Sequence, residues 1–136
     1  GSQVIRDHDA THVIFGLDTS IEQESMLDSW VLSATSWKLK QLLAYNQLPE
    51  LKQLTKDFRN DPGYLRLILT AVKLIPIKLK IWKRSKQMNK KWPFASPDHL
   101  MDQRICYLRE EYGIEILTPD ERKVKKPLIW SGTIKN

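Results

Sequence analysis

Apolar residues at helical spacing fill the stretch that follows Thr19. They are Ile21, Met26, Leu27, Trp30, Val31, Ala34 and Trp37. Recurrence every three to four residues predicts an amphipathic helix. Thr19 or Ser20 can cap its first turn, because Glu22 follows Thr19 at the spacing of a capping box. A second, short helix is predicted between Pro49 and the turn at 59–63.

The first eighteen residues carry a strand pattern instead. Residues 11–18 (THVIFGLD) hold a short apolar run bounded by polar residues, which predicts a buried strand. Residues 3–6 could pair with it across a turn at 7–9. The N-terminus is therefore predicted to contribute one or two strands.

The run from Tyr64 to Ile75 (YLRLILTAVKLI) is apolar on nearly every side and predicts the central buried helix. Pro76 then either kinks this helix or starts a new segment. The following IKLKIW alternates as a strand would. No turn signal separates it from the preceding run, however, so we predict that it is helical.

A helix and a hairpin are predicted towards the C-terminal end. Ser96 is suited to cap the helix, Pro97 occupies its first position and Gly113 ends it. The apolar runs at 114–117 (IEIL) and 127–130 (PLIW) predict two antiparallel strands.

These elements predict a mainly helical α+β fold with one or two N-terminal strands, three to four helices, and a C-terminal helix with a β-hairpin. The 136 residues fit a single domain at 1–136, in which 1–2 (Gly-Ser) are interpreted as a tag remnant. Its acidic half is 3–61 and its basic half is 62–136, with the helix and hairpin at 96–130.

Charge is separated along the chain. Residues 1–37 contain one basic and six acidic side chains, a net −5, and the rest contains 21 basic and ten acidic side chains, a net +11. Between Pro62 and Pro97 there are nine Lys and Arg residues and no Asp or Glu. Such a field attracts phosphates and other anions but does not determine the fold.

The segment at 96–130 resembles the second half of winged-helix DNA-binding domains of the DeoR/WYL type. The stretch RICYLREEYGIEI (104–116) is similar to the end of their recognition helix, and TPDERKVKK (118–126) is similar to a wing. In that family a separate helix and a tight turn precede the recognition helix. Here only KKWPFASPDH (90–99) is available, so the basic helix before it would have to be the scaffold.

The resemblance implies a set of DNA contacts. Because Arg and Gln suit bidentate contacts with bases, the candidates for reading base edges are Gln103, Arg104, Tyr107 and His99. Contacts with phosphates position a protein on DNA but carry little sequence information. On this unit the candidates for them are Arg109, Arg122, Lys123, Lys125 and Lys126.

A second basic group precedes this unit. Its candidates for phosphate contact are Lys78, Lys80, Lys83, Arg84, Lys86, Lys90 and Lys91. Trp82 and Trp92 are interleaved with them, and basic residues beside aromatic ones suit backbone contact plus base stacking. We predict that the basic residues form an anion-binding surface and that the two tryptophans point into the core.

Signals for metal or thiol chemistry are sparse. The single cysteine, Cys106, excludes an internal disulfide and is predicted to be a small buried residue. His8 and His12, with Asp7 and Asp9, could bind a stray ion but do not form a clear metal site.

These observations predict a non-catalytic nucleic-acid-binding domain, for double-stranded DNA more than RNA, with no cofactor and no metal. The alternative is a protein-interaction or oligomerisation module of a larger nucleoprotein assembly, which would bind a second copy or a partner protein with Trp30 and Trp37 as anchors. The third is a metal-dependent nuclease or transferase using Asp18, because VIFGLDTS resembles the first strand of RNase H-like and actin-like ATPase folds. No apolar run reaches the roughly 20 residues of a membrane span, and we predict an intracellular location, cytoplasmic or nuclear.

Overall fold

The computed structural model describes residues 2–41, 56, 64–95 and 98–124 of the chain. Its helices are α1 (Ser2–Phe15), α2 (Ile21–Ala34), α3 (Tyr64–Lys73), α4 (Ile75–Lys86), α5 (Asp98–Met101), α6 (Ile105–Tyr112) and α7 (Pro119–Arg122). These ranges contain no strand, only an isolated parallel bridge between Thr35 and Trp92. The predicted α+β fold is therefore wrong for the described residues, which are mainly helical. The short helix predicted after Pro49 lies outside them.

Helix α1 replaces the strands predicted at 3–6 and 11–18. Its buried face consists of Asp7, Ala10, Thr11, Ile14 and Phe15. The two polar members of this face make hydrogen bonds within α1. Because Asp7 and Thr11 occupy buried positions, the remaining apolar residues of α1 do not by themselves show a helical period. Val13, which a buried strand would place inside, is exposed.

Gly16 ends α1 and turns the chain towards α2. Its φ is 69°, in the left-handed region that glycine adopts without strain. The amide of Gly16 donates to the carbonyl of Val13 at 3.3 Å, and the amide of Leu17 donates to the carbonyl of His12 at 3.0 Å. This pair of hydrogen bonds is a Schellman motif, and it fixes where Leu17 lies relative to the last turn of α1.

The start of α2 uses Asp18 rather than the capping box predicted from Thr19 and Glu22. Ser20 is the N-cap residue, and its side chain makes no capping hydrogen bond. Instead, Ser20 donates to the Asp18 carboxylate from its amide at 2.8 Å and from its hydroxyl at 2.6 Å. The amide of Asp18 donates to Gln23 Oε1 at 2.8 Å. These contacts give Asp18 a structural part in the turn.

Helices α2 and α4 pack along each other at the centre of the core. Trp30 of α2 is fully buried and its ring stacks on that of Phe15, with centroids 4.9 Å apart. It is therefore not available as the anchor that the sequence suggests, while Trp37 is half-buried against the core. Other core residues are Met26, Leu27, Ala34, Leu74, Ile81, Trp92, Leu108, Tyr112 and Leu117.

Helices α3 and α4 follow each other with a single residue, Leu74, between them. The helical prediction for IKLKIW is confirmed, because it lies within α4, and Pro76 stands in the first turn of that new segment. The prediction of a central buried helix at 64–75 is wrong, since a row of its apolar side chains is exposed. Among the described residues, no helix is both long enough and apolar enough to cross a membrane.

The C-terminal helix and hairpin are also corrected. The predicted helix is divided into α5 and α6 by residues 102–104, and Gly113 ends α6 with φ 71°, as predicted. Residues 114–118 are coil, whose Ile114 and Leu117 pack directly into the core. The expected wing begins with α7 instead, and the predicted strand at 127–130 lies outside the described residues.

A capping box explains this last correction. The hydroxyl of Thr118 accepts from the amide of Glu121 at 3.2 Å, and the Glu121 carboxylate accepts from the amide of Thr118 at 3.0 Å. Glu121 also forms ion pairs with Lys80 and Arg84 of α4, both at 2.9 Å. The sequence TPDE therefore starts a helical turn that is held against α4.

Glu121 should make stability depend on acid pH. Its pKa is lowered to about 2 from 4.5, first by the hydrogen bond from the Thr118 amide and next by that from Lys80. A lowered folded-state pKa gives stability that is present above 4.5 and lost as the pH falls towards 2. Urea unfolding across this pH range should show a weaker loss for Glu121→Gln than for the wild type. Glu110→Gln, an exposed glutamate on α6, should behave like the wild type, and equal loss in all three proteins would contradict the assignment.

Candidate functional site

Two histidines and a glutamate converge between α1 and α2. His8 and His12 lie one turn apart on α1, and residues four apart project from the same face of a helix. The Gly16 turn folds α2 back against α1, which brings Glu24 opposite them. The ligand-capable atoms of the three side chains all lie within 4.8 Å of one another.

The donor atoms of this cluster lie close enough together to surround one metal ion. His12 Nε2 lies 3.2 Å from His8 Nε2 and 2.9 Å from Glu24 Oε1, and His8 Nε2 lies 3.7 Å from Glu24 Oε2. A metal bound at about 2.0–2.1 Å in a tetrahedral site needs donor atoms roughly 3.3 Å apart. The two distances from His12 Nε2 are near this value, whereas the contact of His8 is with the other carboxylate oxygen of Glu24. One ligand atom from each of the three side chains lies within 4.8 Å of the other two, so a single ion could reach all three residues.

The turn after α1 fixes the orientation of His12. Its Nδ1 lies 3.2 Å from the carbonyl oxygen of Leu17, which can only accept, so Nδ1 carries the hydrogen. In the imidazolium form Nε2 carries the hydrogen that is donated to Glu24, whereas in the neutral form Nε2 carries the lone pair that a metal ion would use. A backbone carbonyl that holds the second ring nitrogen of a histidine is the usual support of a metal ligand.

Burial and charge complete the site. The side chains of His8 and His12 are 15% and 12% exposed, and that of Glu24 is 37% exposed. Burial is the largest influence on the pKa of His12 and lowers it, but the hydrogen bond and charge of Glu24, the hydrogen bond to the Leu17 carbonyl and the charge of Asp9 together raise that pKa. Burial is also the largest influence on the pKa of Glu24 and raises it, but the hydrogen bonds and charges of His12 and His8 together lower it to about 2. The cluster thus holds an ionised carboxylate, and a metal ion would bind there in place of the proton on His12.

The structure selects a different carboxylate from those suggested by the sequence. Asp7 is buried and accepts a hydrogen bond from Gln3 at 3.0 Å, and Asp9 is exposed outside the cluster. Glu24 was missed because the strand predicted at 11–18 places His12 in the wrong kind of element. Two histidines four residues apart, followed across a glycine turn by a glutamate, are the signal that a helical interpretation would have provided.

A small apolar cavity lies elsewhere on α1. Its volume is about 210 Å³, and its lining includes Ala10, Val13, Ile14, Leu100 and Leu108. None of the three clustered residues lines it. The geometry therefore does not make this cavity a substrate pocket for the cluster.

The predicted base-reading residues are exposed but do not share one helix. Gln103 and Arg104 lie in the link between α5 and α6, and His99 lies in the single turn of α5. Tyr107 is on α6, with the Arg104 guanidinium 5.9 Å from the centre of its ring. Cys106 is exposed in the same stretch, so its predicted burial is wrong.

Several predicted phosphate contacts are already engaged within the fold. Lys80 and Arg84 pair with Glu121, and Lys90 pairs with Glu111 at 2.9 Å. Arg109 donates to the carbonyls of Val13 and Ile14 at the end of α1, and Arg122 donates to that of Leu117. Of the remaining members, Lys78 is half-buried, and Lys83, Lys86, Lys91 and Lys123 are exposed. Lys125 and Lys126 lie outside the described residues.

The prediction that Trp82 and Trp92 point into the core is confirmed for only one of them. Trp92 is buried, as predicted, and packs edge-on against Tyr112 with centroids 5.1 Å apart. Trp82 is exposed instead, and Lys86 Nζ lies 3.7 Å from the centre of its ring.

Comparison with known proteins places the chain in no family. Neither a scan against protein-family models nor searches of curated proteins and of solved structures gave a match. The winged-helix resemblance of residues 96–130 therefore rests on their sequence alone.

Proposed function

We propose that this protein binds one divalent transition-metal ion through His8, His12 and Glu24 and uses it as a Lewis acid. The observation that carries the proposal is the convergence of three ligand atoms, one from each side chain, within 4.8 Å of one another. The orientation of His12 by the Leu17 carbonyl supports it.

The donor set favours zinc over the common hard cations. Two imidazole nitrogens with one carboxylate suit Zn²⁺, whereas Mg²⁺ and Ca²⁺ take oxygen ligands almost exclusively. The sequence alone predicts neither a metal nor a cofactor. The proposal differs from that prediction because the folded chain brings this donor set together.

Three protein ligands leave one tetrahedral position for water or a substrate oxygen. This is the arrangement of catalytic rather than structural zinc sites, and bound zinc lowers the pKa of its water to about 7. Glu24 is the most exposed of the three ligands, so its side of the cluster is where a substrate oxygen would approach. The chemistry supported is metal-assisted activation of water or of a carbonyl group.

Nucleic-acid binding stays a prediction. The described residues contain no strand that could form the predicted wing. Some of the basic side chains predicted to contact phosphates form ion pairs with Glu111 and Glu121. The exposed lysines of α4 and of the loop after it are the part of the basic surface that a polyanion could still contact.

A direct metal titration tests the proposal. Protein stripped with a chelator should take up one equivalent of Zn²⁺, and Co²⁺ in its place should give the visible absorption of a tetrahedral site. His12→Ala and Glu24→Gln should each weaken Zn²⁺ binding by more than about 100-fold, since even loss of a residue that supports a ligand costs about 10–100-fold.

His99→Ala is the matched control, because His99 is an exposed histidine outside the cluster. It should bind Zn²⁺ like the wild type. Binding that survives both ligand substitutions, or that His99→Ala weakens equally, would contradict the site.

A further inference from the structure

Helices α3 and α4 expose a continuous row of large apolar side chains, here called the outer face. Its members are Leu65, Ile68, Leu69, Val72, Ile75, Leu79 and Trp82. Each is between 48% and 71% exposed. Their spacing of three and four residues places them along one side of both helices.

The outer face is distinct from the face that the core uses. Leu74 and Ile81 are fully buried on another side, through which α4 packs against α2. Helix α4 is therefore apolar on two sides. Single exposed apolar residues are normal on a protein surface, but a row of seven large ones forms a patch that usually marks a binding surface.

Positive charge borders the outer face. Arg66, Lys73, Lys83 and Lys86 are exposed beside it, and no acidic residue occurs between Pro62 and Pro97. Lys86 lies over the ring of Trp82. Long basic side chains can lay their stems on apolar surface while they hold the charge outward.

This combination distinguishes between possible occupants. A second copy of the chain would bring two basic borders together, and like charges across an interface are costly. A nucleic acid would satisfy the lysines but would place phosphates against leucine and isoleucine. An anionic lipid surface satisfies both features, because it offers negative headgroups above an apolar layer.

We propose that the outer face of α3 and α4 docks the protein in the plane of an anionic lipid membrane. The apolar row enters the boundary between headgroups and acyl chains, Trp82 lies at the interface, and the bordering cations meet the headgroups. The helices lie along the membrane rather than across it, as their charge requires. The docking is independent of the metal proposal, because the two surfaces share no residue.

Vesicle sedimentation of the full chain tests this inference. The protein should sediment with vesicles of equal parts phosphatidylcholine and phosphatidylglycerol, and much less with phosphatidylcholine alone. Added salt should weaken the binding because it screens the lysines. Trp82 emission should shift to the blue on binding, and Trp82→Phe should remove most of that shift.

The substitutions use exposed positions, so the fold should persist. Leu69→Glu with Val72→Glu should weaken binding to the mixed vesicles about tenfold or more, because it puts charge in the apolar row. The matched control is Leu39→Glu with Tyr107→Glu, which adds the same charge at two exposed sites that do not belong to α3 or α4. This control should bind like the wild type.

Three results would overturn the inference. The first is no sedimentation with the mixed vesicles. The second is equal weakening by both double variants. The third is a preference for another occupant: a dimer in solution that the Leu69/Val72 variant dissociates, or an oligonucleotide that binds more tightly than the vesicles and is unaffected by that variant.

Discussion

Zinc at one hundred times its dissociation constant should raise the free energy of unfolding by about 2.7 kcal/mol. The reason is that the three ligands meet only in the folded chain, since His8 and His12 lie on α1 and Glu24 lies on α2. Urea unfolding of the metal-stripped protein, with and without Zn²⁺, measures the difference.

His12→Ala should remove this gain almost completely. The substitution leaves His8 and Glu24 without the nitrogen that lies closest to both of them. His99→Ala should keep the full gain. If the His12 variant were still stabilised by zinc to the same degree, the ion would have to bind elsewhere, and the site would be wrong even if the protein binds zinc.

Trp30→Ala should destabilise the fold by about 3–5 kcal/mol. The Trp30 side chain is fully buried, stacks on Phe15 and belongs to the helix that joins α1 to α4. Removing it leaves a cavity that the surrounding side chains can fill only in part. The measurement is the urea midpoint followed by circular dichroism.

Two further variants serve as comparisons for Trp30→Ala. Trp30→Phe keeps an aromatic ring beside Phe15 and should cost less than Trp30→Ala, which keeps the comparison measurable if the alanine variant does not fold. Trp82→Ala, at an exposed tryptophan, should change stability by less than about 0.5 kcal/mol. Similar costs for Trp30→Ala and Trp82→Ala would contradict the assignment of Trp30 to the core.

The apolar spacing of α2 and the glycine end of α6 were predicted correctly. The apolar spacing of α2 leads directly to its buried residues, and Gly113 ends α6 with the left-handed conformation expected there. In both cases the signal is local, because a helical period and a glycine end depend on residues within a few turns.

The errors occurred where buried polar residues interrupted the apolar pattern of a helix, or where an apolar face of a helix did not pack against the core. In α1, Asp7 and Thr11 occupy buried positions, so a short apolar run resembled a strand. In α3, the exposed Leu65, Ile68, Leu69 and Val72 form an apolar face that resembles a core face, and periodicity cannot say whether such a face will be buried. At 114–117 an apolar run was predicted as a strand, but no partner strand lies beside it in the described structure.

The cluster of His8, His12 and Glu24 likewise depends partly on sequence and partly on tertiary structure. The spacing of His8 and His12 and the Gly16 turn are present in the sequence, but Glu24 joins them only because α2 folds back against α1. The positive charge of residues 62–97 could be counted without a structure. Its distribution could not, since Glu111 and Glu121 neutralise some lysines while others border the outer face.

The sequence by itself determined the helical period of α2, the end of α6 and the excess of positive charge after residue 62, because each depends on composition or on neighbours along the chain. Only the tertiary structure decided which apolar face is buried, which cations are paired and which carboxylate meets the two histidines. Those depend on contacts between residues far apart in sequence, and a linear pattern does not contain the packing that selects them.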